Sequence, residues 1–348
     1  MNKINNQIHI LPSISVGGAP INVLRLIKEL KSQNYNCCFE IWSPNDNDDF
    51  KNNLKKENIL FQEIPKINPF SIVFLKDIIK KILLSDKERS QFVTHGRGCG
   101  LIIKPLIIFF RRKSIHFFRG FTPSYGLTSV ILKKILVFLE SFICKFGIVI
   151  CVGKDEFNLV EKYLRPNSQK LLYNPVTKIQ WDRDGKKLEF SFIGRRSYQK
   201  GFDRAIQMAE KLEDISFNWY GNKESNFHDD FKIPKNLSLF PSSDQEFIFS
   251  NCDAVIIVSR WEGASTVAIE CLLSEKPLIA LKCPGVDEFF IEDLNDKNLN
   301  ESLAELEVSL RDFDLESNLK TAKKISSKIK EEINSKKIIK EYVQICGI

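Results

Sequence analysis

Residues 254–270 read AVIIVSRWEGASTVAIE, and this stretch decides the fold. Its first part, Ala254–Val258, has the length and the apolar composition of a buried strand. A polar loop follows, and an apolar helical pattern begins near Ser265 or Thr266. A buried strand that leads directly into a helix is the repeating unit of parallel α/β sheets, so the stretch predicts that architecture.

The same alternation of short apolar runs and helical patterns continues along the chain in two series. The first series of predicted strands is Ile8–Ile14, Cys37–Trp42, Ile59–Ile64, Phe92–Thr94, Ser114–Phe118 and Ile148–Val152. The second series is Phe190–Ile193, Ser216–Tyr220, Leu237–Phe240, Ala254–Val258 and Leu278–Leu281. The sequence therefore predicts an α/β protein with two doubly wound, Rossmann-like domains that face a central cleft.

Length and composition support this division into domains. The 348 residues are 43% hydrophobic and 27% charged, as in ordinary globular proteins, and the length fits two domains. The segment from Tyr173 to Lys187 is polar and carries Pro175 and Gly185, which is typical of a linker. We therefore predict domains at 1–175 and 176–332, followed by a C-terminal helix at 333–348.

Several functional classes are excluded on composition and motifs. No apolar stretch reaches the roughly 20 residues of a membrane-spanning helix, because charges such as Arg111 interrupt each one. The N-terminus, Met1–Ile10, is too polar for a signal peptide. The nine cysteines include no CxxC pair, which indicates reduced thiols in a cytoplasmic protein. No zinc-finger, basic-zipper or RNA-recognition motif is present, so nucleic acid is not an expected partner.

The net charge of +7 is unevenly distributed. Residues 101–147 carry eight cations and one anion, interleaved with Ile, Leu and Phe. A basic and apolar surface of this kind favours an anionic membrane, so we predict a peripheral membrane contact between Lys104 and Lys145. The alternative is that these residues form ordinary helices with solvated lysines on their outer faces.

Two glycine-rich segments follow predicted strands in the first domain. Gly17 and Gly18 stand between a strand and a helix, where backbone amides can approach an anion closely. The segment His95–Gly100 is a second glycine-rich turn, but it lacks the last glycine of the dinucleotide-binding fingerprint. A tight strand-to-helix turn without a ligand remains the alternative for both.

The second domain carries the charged loops that suit a phosphorylated ligand. Arg195 and Lys200 lie on a strand-end loop between two glycines, where cations suit a pyrophosphate. Further along, Glu262 and Glu270 are spaced so that both can face one cleft. The helix between them offers its first backbone amides to a phosphate; these belong to Ser265, Thr266 and Val267. The alternatives are solvated surface cations and a surface carboxylate.

Taken in order, these segments resemble the retaining GT-B glycosyltransferases of the group 1 family (glycosyltransferase family 4). The matching features are the Gly17-Gly18 loop, the Gly-Arg…Lys-Gly segment at Gly194–Gly201, the Glu-x7-Glu pair, and the run from Pro277 to Glu288. They cover most of the chain. The resemblance implies a GT-B fold, a nucleotide-diphosphate sugar as the donor, and no cofactor or metal.

The resemblance also implies roles for the phosphate-binding residues. Gly17 and Gly18 would approach the donor's distal phosphate and the reaction centre. Arg195 and Lys200 would neutralise the pyrophosphate as it departs. Retention in this family is thought to proceed on one face of the sugar, so no protein nucleophile is expected.

The remaining roles concern the sugar and the C-terminus. By resemblance, Glu262 would contact the donor sugar's hydroxyls, Glu270 the ribose hydroxyls, and the helix at 333–348 would return to the first domain. Arg119 stands where the family often has a histidine near the sugar, and His95 matches a second, more variable histidine. Because Arg119 cannot act as a base at neutral pH, we expect it to bind phosphate or an acidic donor or acceptor.

The predicted function is that of a retaining glycosyltransferase. It would move a sugar to a hydroxyl of a lipid-linked saccharide at the cytoplasmic membrane surface, in O-antigen or capsule assembly. The alternatives are a GT-B epimerase or phosphorylase, and a catalytically degenerate GT-B protein that binds another glycosyltransferase. A metal-dependent single-domain type would need an Asp-x-Asp site. Three such triplets occur by chance in polar segments: Asp46/Asp48, Asp182/Asp184 and Asp312/Asp314.

Overall fold

The computed structural model divides the chain into two compact units. It describes residues 6–15, 17–35, 37–123, 129–182, 188–224, 227, 230–290 and 298–348. Unit 1 is Met1–Pro175 together with Ser335–Ile348, and unit 2 is Val176–Asn334. The division falls at 175/176, where the sequence places its first boundary, and two residues beyond the second predicted boundary.

Unit 1 is a parallel sheet with the strand order of a doubly wound fold. Within the described residues its order is β3-β2-β1-β4-β5-β6-β7, and every neighbouring pair is parallel. The strands are β1 (Asn6–Ile10), β2 (Cys38–Ser43), β3 (Leu60–Glu63), β4 (Ser90–His95), β5 (Lys113–Phe117), β6 (Ile148–Cys151) and β7 (Gln169–Leu171). The helices that follow them are α1 (Gly18–Ser32), α2 (Asp48–Lys56), α3 (Ile72–Leu84), α4 (Gly96–Phe109), α5 (Val130–Cys144) and α6 (Lys154–Leu164).

Unit 2 repeats this architecture. As far as the structure describes it, the sheet has the order β10-β9-β8-β11-β12-β13, again parallel throughout. The strands are β8 (Glu189–Ile193), β9 (Ser216–Tyr220), β10 (Leu237–Phe240), β11 (Ala254–Ile257), β12 (Leu278–Leu281) and β13 (Leu299–Asn300). The helices are α7 (Phe202–Lys211), α8 (Gln245–Ser250), α9 (Thr266–Leu273), α10 (Leu303–Arg311) and α11 (Leu315–Glu332).

The last helix, α12 (Ser335–Cys346), belongs to unit 1. Buried polar side chains hold it on the sheet. The Tyr342 hydroxyl donates to Gln7 Oε1 at 2.9 Å, Gln7 Nε2 donates to Gln91 Oε1 at 2.8 Å, and Gln91 Nε2 donates to the Cys346 carbonyl. Buried polar groups are costly unless they are satisfied, so this ladder fixes where α12 packs against β1 and β4.

The predicted series of strands and helices is confirmed, with local differences. Strands β7 and β13 are not predicted from the sequence, because they have only three and two residues. The segment at His95–Gly100, predicted as a loop, is the start of α4, whose first turn contains Gly96 and Gly98. Within the described ranges no helix is both long and apolar enough to cross a membrane.

The basic residues between positions 101 and 147 do not all lie on the surface, which corrects part of the predicted patch. Lys104 is fully buried, because it lies on the inward stripe of α4 with Gly100, Ile103 and Ile107. Burial lowers the pKa of Lys104 below its ordinary value. Arg112 donates through Nη2 to the carbonyl of Ile82 in α3. The exposed positive charge between positions 101 and 147 is therefore smaller than the sequence indicates.

Candidate active site

The strand order of unit 2 brings two loops together at the carboxyl ends of β8 and β11. These strands are neighbours although they are not consecutive, so the helices that follow them leave the sheet in opposite directions. Ligands of doubly wound sheets bind at this topological switch point. The loop after β8 carries Lys200, and the loop after β11 carries Glu262.

Lys200 and Glu262 form the centre of the candidate site. Lys200 Nζ lies 2.6 Å from Glu262 Oε1, and the Ser259 hydroxyl is 2.7 Å from the same oxygen. The side chain of Glu262 is 9% exposed and that of Lys200 is 21% exposed. A pair this protected from water interacts more strongly than a surface ion pair. The sequence named both residues, and the structure places them in contact.

Backbone contacts lock the two loops together. The amide of Arg260 donates to the Gln199 carbonyl at 2.8 Å, and Arg204 Nη1 donates to the Val258 carbonyl at 3.1 Å. Gly201 has φ +73°, and a Cβ there would lie 2.2 Å from the Val258 carbonyl oxygen. Only glycine allows this approach, so Gly201 determines how closely the Lys200 loop packs on β11.

The N-terminus of α9 borders the same place. Val267 and Ser265 line a cavity of about 10 Å³ together with Lys200 and Glu262, which is roughly the room that one water needs. Ser265 caps the helix, because its hydroxyl accepts from the Ala268 amide. The amides at this end carry the positive end of the helix dipole toward the cation and carboxylate.

Ser265 itself corrects one prediction. Its backbone amide was expected to be available to a phosphate, but it donates to the Gly285 carbonyl at 2.8 Å. Gly285 belongs to the loop after β12, and its φ of +80° lets that loop pass close to Glu262. The Ser265 amide is therefore removed from the phosphate-binding prediction at this helix.

Two further predicted residues lie apart from the cavity. Arg195 Nη1 binds Glu224 Oε1 at 2.8 Å, and both side chains are 39% exposed. An exposed pair of this kind is weak, so Arg195 can exchange Glu224 for another anion at little cost. Glu270 is buried on α9, with 1% of its surface exposed, and it does not line the cavity.

Unit 1 carries a chain of buried polar side chains at the carboxyl ends of β4 and β5. Arg119 Nε donates to His95 Nδ1 at 3.0 Å, and His95 Nε2 lies 3.0 Å from His9 Nδ1. Arg119 Nη1 donates to Asn174 Oδ1 at 2.8 Å. Because Arg119 only donates, His95 must carry its proton on Nε2 and donate it to His9. The sequence named His95 and Arg119, and the structure joins them.

Burial sets the protonation of this chain. It lowers the pKa of His9 to about 3 and the pKa of His95 well below its ordinary value, and the charge of Arg119 acts in the same direction. Burial also lowers the pKa of Arg119 to about 10, which leaves it protonated at neutral pH. Among these three groups the guanidinium is therefore the cation, and both imidazoles are neutral.

The remaining predicted residues of unit 1 lie at the start of α1. Gly18 is the first residue of that helix and Gly17 is its N-cap in an extended conformation. Asp46 holds the preceding loop, since its Oδ1 accepts from the Ile14 amide at 2.8 Å and its Oδ2 from the Ser13 hydroxyl. The two glycines therefore present backbone amides at the carboxyl end of β1.

Two members of the Asp-x-Asp triplets, Asp46 and Asp314, bind backbone amides nearby. Asp314 is the N-cap of α11 and accepts from the Ser317 amide, and Asp48 begins α2. Asp184 lies outside the described residues. Among the side chains with described positions, no three His, Cys, Asp or Glu come together as a metal site would require.

Sequence reasoning missed three residues of these sites. Ser259 was read only as part of a loop, although it binds Glu262. His9 stands within the apolar run of β1, where a buried polar residue is unusual, and that anomaly was a usable signal. Asn174 gave no signal, because its contact with Arg119 joins residues 55 positions apart.

The chain is similar in sequence to known glycosyltransferases. Residues 175–308 match the model of the family described as glycosyl transferases group 1. An uncharacterized glycosyltransferase of Methanocaldococcus jannaschii is 25% identical in an alignment of length 308 that covers 82% of each chain. An uncharacterized 41.2 kDa protein in the cps region of Klebsiella pneumoniae is 25% identical over 48% of this chain and 52% of its own length.

Solved structures show the same fold. HepE from Anabaena, crystallised with UDP and glucose, superposes with a TM-score of 0.79 at 15% identity over 98% of both chains. Sucrose-phosphate synthase from Thermosynechococcus elongatus gives a TM-score of 0.75 at 13% identity, also over 98% of both chains. The two parallel-sheet units of this chain thus have the GT-B architecture.

Proposed function

Because this chain is a glycosyltransferase of the group 1 type with the GT-B fold, we propose that it is a retaining enzyme of surface-polysaccharide assembly. In this proposal unit 2 binds a nucleotide-diphosphate sugar, and unit 1 binds a lipid-linked saccharide whose hydroxyl receives the sugar. The relative in the cps region supports a role in polysaccharide assembly, and the complex of HepE with UDP and glucose supports a nucleotide-sugar donor.

The observation that carries the proposal is the Lys200–Glu262 pair at the switch point of unit 2. Nucleotides of doubly wound sheets bind there, and their phosphates require fixed positive charge. Lys200 supplies that charge on a loop held by Gly201, with the first turn of α9 beside it. An intact pair also argues against a degenerate protein that has lost its donor site.

The pair also indicates how the residues act. A diphosphate in this site competes with Glu262 for Lys200 Nζ, because both anions need the same ammonium group. Once Lys200 turns to the phosphate, the Glu262 carboxylate is free to accept hydrogen bonds from sugar hydroxyls. The positive charge of Lys200 then stabilises the diphosphate most strongly as the glycosidic bond to it breaks.

Transfer is expected to proceed in excess chelator. Lys200 and the helix end at Val267 neutralise the negative charge of the departing diphosphate. Because both are parts of the protein, turnover with EDTA should stay within about a factor of two of turnover without it. Initial rates with and without EDTA test this, with a metal-dependent glycosyltransferase in the same buffer as the control. Complete loss that manganese or magnesium restores would contradict the assignment of the phosphate site.

The membrane contact that we propose lies on α5 in unit 1. Four apolar residues form one stripe on its exposed face: Ile131, Ile135, Phe138 and Phe142. Phe138 is 70% exposed and Phe142 is 62% exposed, which is unusual for a water-facing helix. Exposed positive charge is supplied by Lys134 on the same helix, by Arg111 just after α4 and by Lys113 at the start of β5. Apolar and basic groups together suit an anionic lipid surface.

Replacing Phe138 and Phe142 with serine should release the protein from vesicles. Loss of two inserted rings is expected to weaken partitioning into phosphatidylserine vesicles by about 10-fold or more. Flotation with and without phosphatidylserine measures it. The control is Phe247→Ser, which removes a ring of 54% exposure from unit 2. Equal flotation of all three proteins, or no binding by the wild type at low salt, would overturn the membrane contact.

A further inference from the structure

Arg119 is a partly buried cation of unit 1 that makes no carboxylate ion pair among the described residues. Its hydrogen-bond partners, His95 and Asn174, are both neutral. Glu156 acts on it electrostatically, but that carboxylate accepts backbone amides from Phe121, Gly120 and Val152. Buried charges are normally paired, whereas Arg119 lies over the Phe117 ring at 5.0 Å and has no directly bonded carboxylate among the described residues.

The backbone at Arg119 is also unusual. Its φ is +57°, a left-handed conformation that is unfavourable for a residue with a side chain. The strain is sustained by Glu156, which fixes the two amides that follow. Strained residues of this kind persist where the surrounding structure holds a side chain in a required place.

That place is the ligand-binding edge of unit 1. Arg119 follows β5 by two residues, and its guanidinium reaches back to His95 at the carboxyl end of β4. Strand β4 borders β1 at the switch point of this sheet. His95 and Asn174 take two of the five N–H donors of Arg119, and within the described residues the second N–H of Nη1 and both N–H of Nη2 remain for a ligand.

We propose that Arg119 binds an anionic group of the acceptor, so that the acceptor is an acidic saccharide. This rests on the proposed function, in which unit 2 binds the donor diphosphate and unit 1 binds the acceptor. The chemistry that fits a fixed guanidinium is a carboxylate or a phosphate, each of which accepts two parallel N–H bonds. A uronic acid and a phosphorylated sugar are the two sources.

The two possible acidic groups can be distinguished by measuring the binding of three hexosides that differ only at carbon 6. The probes are methyl glucoside, methyl glucuronide and methyl glucoside 6-phosphate, and ligand-observed NMR gives their dissociation constants. The wild type should bind one or both acidic probes about 10- to 100-fold more tightly than the neutral probe, the range of a charge-assisted pair. Preference for the carboxylate identifies a uronic acid, and preference for the phosphate identifies a phosphorylated acceptor.

Variants of Arg119 test whether this residue causes the preference for acidic probes. Arg119→Gln should remove the preference, and Arg119→Lys should keep part of it because the charge remains. The control is Arg165→Gln, since Arg165 is also left-handed, at φ +48°, but is exposed. If Arg119→Gln fails to fold, the wild-type preference and the lysine variant still decide the matter.

Some outcomes overturn the inference while leaving the proposed function intact. Equal binding of the three probes by the wild type, or binding of none, shows that unit 1 does not select an acidic acceptor. A preference that survives in Arg119→Gln assigns the selection to another residue. Donor turnover by the same protein is a separate measurement, and only its failure would reject the glycosyltransferase reaction itself.

Discussion

Lys200→Ala is expected to lower the turnover number for sugar transfer by about 100-fold or more, while the affinity for the acceptor stays unchanged. Lys200 is 2.6 Å from Glu262 in a site that is largely shielded from water. Its charge is worth most when the diphosphate leaves, so its loss acts mainly on kcat. Steady-state kinetics with the donor and the acceptor varied separately measures the effect.

The matched control for this variant is Lys211→Ala. Lys211 also pairs with a glutamate, Glu307, at 3.5 Å, but its side chain is 54% exposed. Its loss should change neither kcat nor the melting temperature noticeably. Lys200→Arg should retain part of the turnover, because the charge remains. Near-normal turnover of Lys200→Ala would remove the loop after β8 from the active site.

Glu270→Ala is expected to weaken the binding of the nucleoside diphosphate by about 3 kcal/mol, roughly 100-fold in Kd. A carboxylate that accepts hydrogen bonds from both ribose hydroxyls contributes this much when it is desolvated. The side chain is 1% exposed on α9, which provides that environment. Calorimetric titration of the nucleotide that the wild type binds most tightly measures it.

A dideoxy nucleotide separates ribose binding from a packing effect of the Glu270 change. The wild type should bind the 2′,3′-dideoxy analogue much more weakly than the parent nucleotide, and Glu270→Ala should bind both equally. Glu210→Ala on the exposed side of α7 should behave as the wild type does. If Glu270→Ala keeps the preference for the ribose hydroxyls, the carboxylate does not bind them.

Local patterns in the sequence account for most of what was predicted about the fold. The spacing of apolar residues in strands and helices involves residues that are close in the sequence. Both series of strands and both Rossmann-like units could therefore be predicted. The strand Ala254–Ile257 and the helix Thr266–Leu273 lie where the opening stretch of sequence predicts them. Short strands such as β13, with two residues, fall below what periodicity can detect.

The sequence predicted which residues belong to the site better than it predicted which of them are in contact. Lys200 and Glu262 follow strands that the sequence could name, but their contact depends on β8 lying beside β11. The pairing of Arg195 with Glu224 depends likewise on β9 lying beside β8. Such neighbours are set by the order of the sheet, which no local pattern records.

Lys104 was misjudged for a different reason. Counting charge along the sequence treats every lysine as a surface residue, whereas this one lies on a buried stripe. Gly100, Ile103, Lys104 and Ile107 are spaced as residues on one face of α4. This spacing could have predicted that Lys104 faces the core. Long stems allow lysines to occupy such positions, so charge counts need the helical pattern beside them.

The most direct test of the central claim is the fate of a nucleotide sugar in the presence of this protein and an extract of lipid-linked saccharides. Proton NMR follows donor consumption, release of the nucleoside diphosphate and the anomeric configuration of the product, with Lys200→Ala as the blank. Our account predicts that an α-linked donor is consumed only with acceptor present and gives an α-linked product. A β-linked product would contradict retention, and equal rates for the wild type and Lys200→Ala would contradict the assigned site.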